Sequence, residues 1–411
     1  MDTAKSWGVS ASLRGFYDSN YGCASTNERD SWGFDISPSV KFNLPLEQTY
    51  LGLRYIYSGR WYADRADSDV PGFNNDPWDH AHQFDFLFNH AFNERYSLDV
   101  QDSFVIGQEP ALMAADGQGN AYPFRAEGDN VRNQVRATFN AQMTRQLGLQ
   151  AGYNNMLWDF QDAANSPLPW VQAADPSLSG LLDRVEQVGS LNLRWQALPE
   201  TTAILGYDFR VVNYSRSEVI GFLPGYGYVV SGDRDLKSHY IYGGVSQSFL
   251  RNFTASLKGG ATYIDYDNDT INSDNWMPYA DASLSYTYAT GSYVQAGVLY
   301  SYNSTDVVAP DAAGRTITSS QDSLSIYALL NHQITAKLAG MLHVHFQNST
   351  YQGGFYDENT DNYFRLGANL TYMINRHFSC EAGYTFDNLE SDLPGRGYDR
   401  NRVYFGITAS Y

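Results

Sequence analysis

Apolar and polar residues alternate one by one along most of this chain. In Asn401–Tyr411, Val403, Phe405, Ile407, Ala409 and Tyr411 are apolar, while Arg402, Tyr404, Gly406, Thr408 and Ser410 are polar, small or amphipathic. A period of two puts the two sets on opposite faces of a β-strand. The pattern begins with Trp7, Val9, Ala11 and Leu13, continues through Trp32, Phe34, Ile36, Val40, Phe42 and Leu44, and recurs about eighteen times. Phe84, Phe86, Phe88 and Phe92 make a stripe that no helical period explains.

The connections sort by length. Short turns fall at Pro45–Gln48, Asn93–Arg95, Thr144–Gln146, Leu198–Glu200, Leu250–Asn252, Ala289–Ser292, Thr335–Lys337 and Asn375–His377. Longer polar loops run near 20–31, 62–79, 108–129, 161–183, 215–235, 266–275, 304–320, 348–361 and 388–399. Strand, long loop, strand, short turn predicts an all-β fold: a transmembrane antiparallel up-and-down β-barrel of about 18 strands. It fills residues 1–411 as a single domain, with termini and short periplasmic turns on one side and long extracellular loops on the other. A soluble sandwich would not sort its connections so regularly. Two places strain the pattern. Asp102 falls on the lipid parity of strand five, which predicts a bulge or register shift there; strand ten has two similar faces.

Composition agrees. No apolar run approaches the ~20 residues of a spanning helix, and 15% of residues are aromatic, as interfacial girdles require. The net charge of −18 argues against a nucleic-acid partner, which needs basic clusters. Met1–Lys5 lacks the apolar segment of a secretory signal and reads as a mature sequence with a restored initiator Met. Cys23 and Cys380 allow no disulfide framework. The topology places Cys23 in the first exterior loop, reachable from outside, and Cys380 at the periplasmic end of strand seventeen, too far apart to pair.

Asp235–Asn268 resembles the family described as "putative β-barrel porin 2" of Gram-negative bacteria, and so do Gln101–Pro110, Pro278–Tyr286 and Tyr398–Gly406. The resemblance implies an outer-membrane location and a channel, together with a link to exopolysaccharide secretion. It supplies no catalytic residues.

With the apolar parity assigned to lipid, the other parity faces the lumen. Its basic members are Lys41, Arg54, Arg132, Arg136, Arg194, Arg210, Lys258, Arg365 and Arg402. Its acidic members are Asp35, Asp85, Asp99, Asp208, Asp281 and Glu381. The wall is hydrophilic and slightly basic, and charged rings in such a lumen set ion preference. Arg132 and Arg136 share a strand and would line a constriction or merely pair with neighbours; Asp208 and Arg210 read as a structural pair. Tyr240, Tyr242, Tyr327 and Tyr404 form either a sugar-stacking track or inert wall.

Other constellations fall short. Asp265, Asp267 and Asp269, with Asp274 following, have calcium-loop spacing, but Thr270 stands where the turn needs Gly and Trp276 where the closing Glu belongs. They read as a solvated acidic loop or a loose cation site. His343 and His345 share a face without a third ligand. No catalytic triad, phosphate loop or HExxH is present, so neither enzyme nor cofactor is expected. In the loops at 161–183 and 215–235, Pro167, Trp170, Pro176, Phe222, Pro224 and Tyr226 need cover, which predicts that at least one loop folds over the mouth. The leading expectation is a porin-like outer-membrane channel for hydrophilic solutes. The alternatives are a polysaccharide exporter, an adhesin or sheath barrel, and an outer-membrane enzyme. The expected partners are outer-membrane lipid, lipopolysaccharide and, during biogenesis, the barrel-assembly machinery.

Overall fold

The computed structural model describes residues 5–65, 76–107, 114–115, 121–122, 130–160, 178–215, 217–272, 274–311 and 313–411. Eighteen strands form one closed antiparallel sheet. They are β1 (Trp7–Asp18), β2 (Ser31–Pro45), β3 (Thr49–Tyr62), β4 (Trp78–Ala91), β5 (Tyr96–Gly107), β6 (Asn130–Gln142), β7 (Leu147–Phe160), β8 (Arg184–Leu198) and β9 (Thr201–Tyr214). Then come β10 (Leu236–Leu250), β11 (Phe253–Tyr266), β12 (Asn275–Ala289), β13 (Ser292–Ser304), β14 (Ser320–Gln333), β15 (Leu338–Gln352), β16 (Thr360–Met373), β17 (Phe378–Ser391) and β18 (Tyr398–Ser410). Each strand pairs with its chain neighbours, and β1 pairs with both β2 and β18. Closure removes every sheet edge, which a bilayer demands because lipid offers no hydrogen bonds to a free backbone. The seam ends with Val9 and Tyr411 exchanging backbone hydrogen bonds of 3.2 and 2.9 Å.

The alternation read from sequence sorts correctly. Leu13, Leu53, Phe84, Leu205, Leu257 and Phe405 stand exposed on the outside. They form an apolar band that only lipid can cover without loss. Aromatic rings edge it: Trp7 packs on Tyr411, and Phe249 on Phe253, near the short turns. Tyr17 packs on Trp32, and Tyr263 on Trp276, towards the long connections. Among the described residues no helix is long and apolar enough to cross a membrane.

The expected irregularity in strand five is absent. β5 runs in unbroken register with both neighbours, Asp102 opposite Phe86 and Val135 on the lipid face. The carboxylate is met from the side, because Asn133 Nδ2 donates to Asp102 Oδ1 at 2.7 Å. A lateral amide offsets part of the cost without shifting two ladders. The register shifts lie instead beside short turns, at Gln196/Leu198, Ser248/Leu250 and Thr287/Ala289. There the chain must reverse within a few residues, and an extra residue supplies the added twist.

Candidate functional site

Cross-strand partners share a face, so the pairing ladder identifies every lumen residue. Lys41, Arg54 and Asp85 stand side by side on β2, β3 and β4, and Asp208, Arg210 and Glu186 on β9 and β8. Lys258 faces Asp281 across β11 and β12. Arg365 faces Asp387 on β17. Asp35, Asp99, Arg132, Arg136, Arg194, Glu381 and Arg402 fall on the same inner face, opposite Arg14, Asn89, Trp158, Asn154, Gly148, Gly406 and Asp18 respectively. At 18 strands, with strands about 4.8 Å apart and tilted by ~40°, the wall is about 35 Å across, wide enough for a water channel.

Opposite charges meet across neighbouring strands or, for Arg14 of β1 and Glu381 of β17, over the intervening β18. Arg54 reaches Asp85 at 2.5 Å, Lys258 reaches Asp281 at 2.9 Å and Arg14 reaches Glu381 at 2.6 Å. Arg365 lies 3.4 Å from Asp387. Arg210 goes to Glu186 at 2.5 Å, while Asp208 accepts from the Tyr242 hydroxyl at 3.2 Å. Asp99 accepts from Asn89 and Asn140. Arg132 lies over the Trp158 ring, 5.7 Å from its centroid.

The four tyrosines are not brought into one track. Tyr240 and Tyr242 are buried against Tyr279 and Leu299, whereas Tyr327 on β14 is 42% exposed and Tyr404 on β18 lies under Arg14. The acidic loop does not converge either. Asp267 pairs with Lys237 at 2.5 Å, and Asp274 accepts from Tyr263 and from the Tyr266 backbone. Among the described residues no three His, Cys, Asp or Glu side chains could hold a metal. His345 bonds Ser325 at 2.8 Å.

The extracellular half of the lumen is built differently. A five-residue helix, α1 (Leu178–Leu182), precedes β8, and a hairpin of Val219–Leu223 and Gly227–Val230 lies between β9 and β10. Leu181 and Leu182 of α1, Ile220, Leu223 and Val229 of the hairpin, and Val307, Val308, Ala309 and Ile317 before β14 are buried in one apolar cluster. The cluster also takes Met156, Trp158 and Phe160 from the inner face of β7 and Tyr351 from that of β15. Strands eight places apart in a ring of eighteen nearly face each other, so the cluster bridges the mouth. Burial of each large apolar side chain contributes about 1.5–3 kcal/mol, which makes the roof a second hydrophobic core. The expected loop cover is present in the hairpin, but Ile220, Leu223 and Val229 do the covering; Phe222 and Tyr226 stay exposed. Pro167, Trp170 and Pro176 lie outside the described residues.

Buried arginines tie the roof together, and Arg396 also ties it to the wall at Asp361. Arg396, 5% exposed, makes a bidentate bond to Asp306 at 2.9 and 2.9 Å and a third to Asp361 at 2.7 Å. Burial alone lowers its pKa, but Asp306 foremost, with Tyr351 and Asp361, outweighs burial and holds it well above the ordinary value. Arg234 donates to the carbonyls of Leu181, at 3.0 Å, and Thr305. Arg400 and Arg402 converge on the buried Asp18. Cys23 is buried rather than open to the exterior: it is 8% exposed, packed with Tyr363, Leu389 and Tyr398, and 3.6 Å from Arg400. Its loop is exterior in topology but folded in. Both cysteines are free thiols.

Sequence reasoning missed Arg14, Asp18, Arg184, Glu186, Asp361, Asp387 and Arg400 on the wall. Their parity made them readable, since each sits two or four residues from an inner-face residue on its own strand. Arg234, Asp306 and Arg396 lie in connections, where no period marks which way a side chain turns.

A closed barrel with an apolar exterior, aromatic borders and a polar, charge-paired lumen defines a bacterial outer-membrane β-barrel of the porin-like class. The model of the family described as "Putative beta-barrel porin 2" matches residues 315–411. No curated protein matches. Among solved structures, the outer membrane protein OpdK from Pseudomonas aeruginosa is 11% identical with a TM-score of 0.45, over 98% of this chain and 99% of that one. OccAB3 from Acinetobacter baumannii is 11% identical with a TM-score of 0.46, again over 98% and 99%. The siderophore receptor PiuA from Acinetobacter baumannii is 10% identical with a TM-score of 0.49, over 99% of this chain and 82% of that one.

Proposed function

We propose that the barrel is a passive channel for small hydrophilic solutes whose flow is restricted at the extracellular mouth by the loop roof. The observation that carries this reading is the contrast between the two halves of the lumen. The periplasmic half is lined by hydroxyls, amides and paired charges such as Arg54–Asp85 and Lys258–Asp281, a wall that wets readily and holds no solute strongly. The extracellular half is crossed by the buried cluster around Leu223 and Val308. A polymer exporter would have to take this second core apart, whereas small solutes need only a gap between loops. That supports small-solute passage over polysaccharide export.

The hairpin offers a direct test. The Ser231 amide donates to the Glu218 carbonyl at 2.9 Å, so residues 219–230 can be replaced by a two-residue glycine turn without parting the flanking chain. In planar bilayers the variant should conduct several-fold more than the parent and pass neutral sugars in liposome swelling. No rise in conductance and no swelling would reject the channel reading. Block of the opened variant by an anionic polysaccharide but not by monosaccharides would favour export.

A further inference from the structure

We infer that the lipid-facing side of β6, β7 and β8 is the contact surface for a second copy of this chain, with the two barrels related by a two-fold axis along the membrane normal. The contact lies on the outside of the wall and is independent of what passes through the lumen. Polar side chains stand there where lipid gives them no partner.

Their depth follows from the pairing ladder. With strands tilted by ~40° and about 4.8 Å apart, each step to the next strand climbs about 3 Å. The ladder that leaves Trp7 in the lower aromatic border passes Phe42, Leu53, Phe86, Asp102 and Val135. It then meets Asn155 on β7 and Gln187 on β8, and two steps later Lys237. Lys237 pairs with the exposed Asp267 and so marks the wet outer rim. Asn155 and Gln187 therefore lie about 19 and 22 Å above Trp7, inside the ~25 Å apolar band. Tyr153, two residues lower on β7, is 45% exposed.

Asp102, on the same ladder, accepts from Asn133 of its own chain. Asn155, Gln187 and Tyr153 have no such relief: among the described residues none of them makes a side-chain hydrogen bond. Lipid tails neither donate nor accept, so an amide turned towards them is costly unless protein meets it. On the far side, β14–β18 present Leu330, Leu342, Ala368, Leu370 and Val403 within the same band, which lipid covers without loss.

Chemistry, depth and shape select a second copy as the cover. A carboxamide is donor and acceptor at once, so Asn155 of one barrel and Gln187 of the other satisfy each other, twice over. All copies insert the same way up, so an axis along the membrane normal brings together groups of like depth, and these two differ by a single ladder step. Tyr153 rises between Ala137 and Gly189 on the flanking strands, and a Cβ at Gly189 would meet nothing within 4 Å. A half-turn sets each ring against the small residues of the other copy, the self-complementary geometry of a two-fold contact. A head-to-tail contact would put the amides against the apolar far side, nearly opposite on the barrel. That leaves them unmatched and does not close into a ring.

The test is made in membranes and reads both contact and stoichiometry. In outer-membrane vesicles, Leu157→Cys, outward on β7 beside the patch, should be joined to its counterpart by a membrane-permeable bis-maleimide. The product should have twice the 46.1 kDa of one chain. Native Cys380, outward on β17 across the barrel, should give none in the parent protein. Energy transfer between donor- and acceptor-labelled copies in lipid vesicles should show the Asn155→Leu/Gln187→Leu variant associating at least tenfold more weakly than the parent. Leucine suits a lipid-facing site, and heat-modifiable migration in SDS confirms that the variant barrel is folded. No product at Leu157→Cys, a three-membered product, equal yield through Cys380, or undiminished association of the folded variant would each overturn the contact. Cross-linking to a different protein would assign the surface to that protein and overturn the second copy.

Discussion

Replacing Arg396 with Met should open the roof without unfolding the barrel. The side chain is nearly the length of the arginine stem and keeps its packing, so the change removes chiefly the guanidinium. Two carboxylates then lose their partner: Asp306, held by two bonds of 2.9 Å, and Asp361, held by one of 2.7 Å. Breaking a buried ion pair from one side costs about 3–5 kcal/mol. The cost falls on the closed roof, because opening releases Asp306 to water, whereas the wall ladders do not involve this arginine. A penalty of about 3–5 kcal/mol multiplies the open fraction roughly a hundred- to several-thousand-fold. Hydrogen exchange reads this directly. The amides of Val307, Asp311 and Thr318, bonded to Thr305, Thr316 and Ala309, should exchange faster by that factor. Amides paired between β1 and β2 should keep their protection. Adding Asp306→Asn should recover part of the loss, since it removes one stranded charge. Unchanged exchange before β14 in a folded Arg396→Met barrel would refute the clasp; equal acceleration in the wall strands would refute its locality.

Three further outcomes are expected. Leu223→Ala removes a fully buried side chain from the roof and should destabilise the closed mouth by about 2–5 kcal/mol, seen as more frequent openings in single-channel records; an unaltered gating pattern would count against the apolar cluster as the closure. Asp102→Leu replaces an outward carboxylate with a lipid-compatible side chain and should raise barrel stability in vesicles by about 1–2 kcal/mol, measured by urea titration; a loss of stability would mean that the Asn133 contact outweighs exposure to lipid. A membrane-impermeant maleimide should label Cys23 slowly on intact cells and fully after denaturation, because the thiol is packed under Arg400. Prompt native labelling would contradict the folded-in first loop.

The wall was legible in the sequence because one physical rule wrote it. A strand between lipid and water must present apolar and polar residues in strict turn, so parity alone gave the outward band from Trp7 to Phe405 and the inward set from Lys41 to Arg402. The difference between short and long connections gave the topology. Tertiary structure decided everything that depends on which strands meet or where a loop folds. Parity could not say that Arg210 would turn to Glu186, or that an amide from β6 would meet Asp102 and keep β5 regular. Nor could it say that Cys23, in an exterior loop, would end up buried. The roof is the clearest case: Ile220, the pair Val308 and Ile317, and Leu393 come from three separate connections, and only the closed ring brings these to one mouth, where burying apolar surface makes them a core.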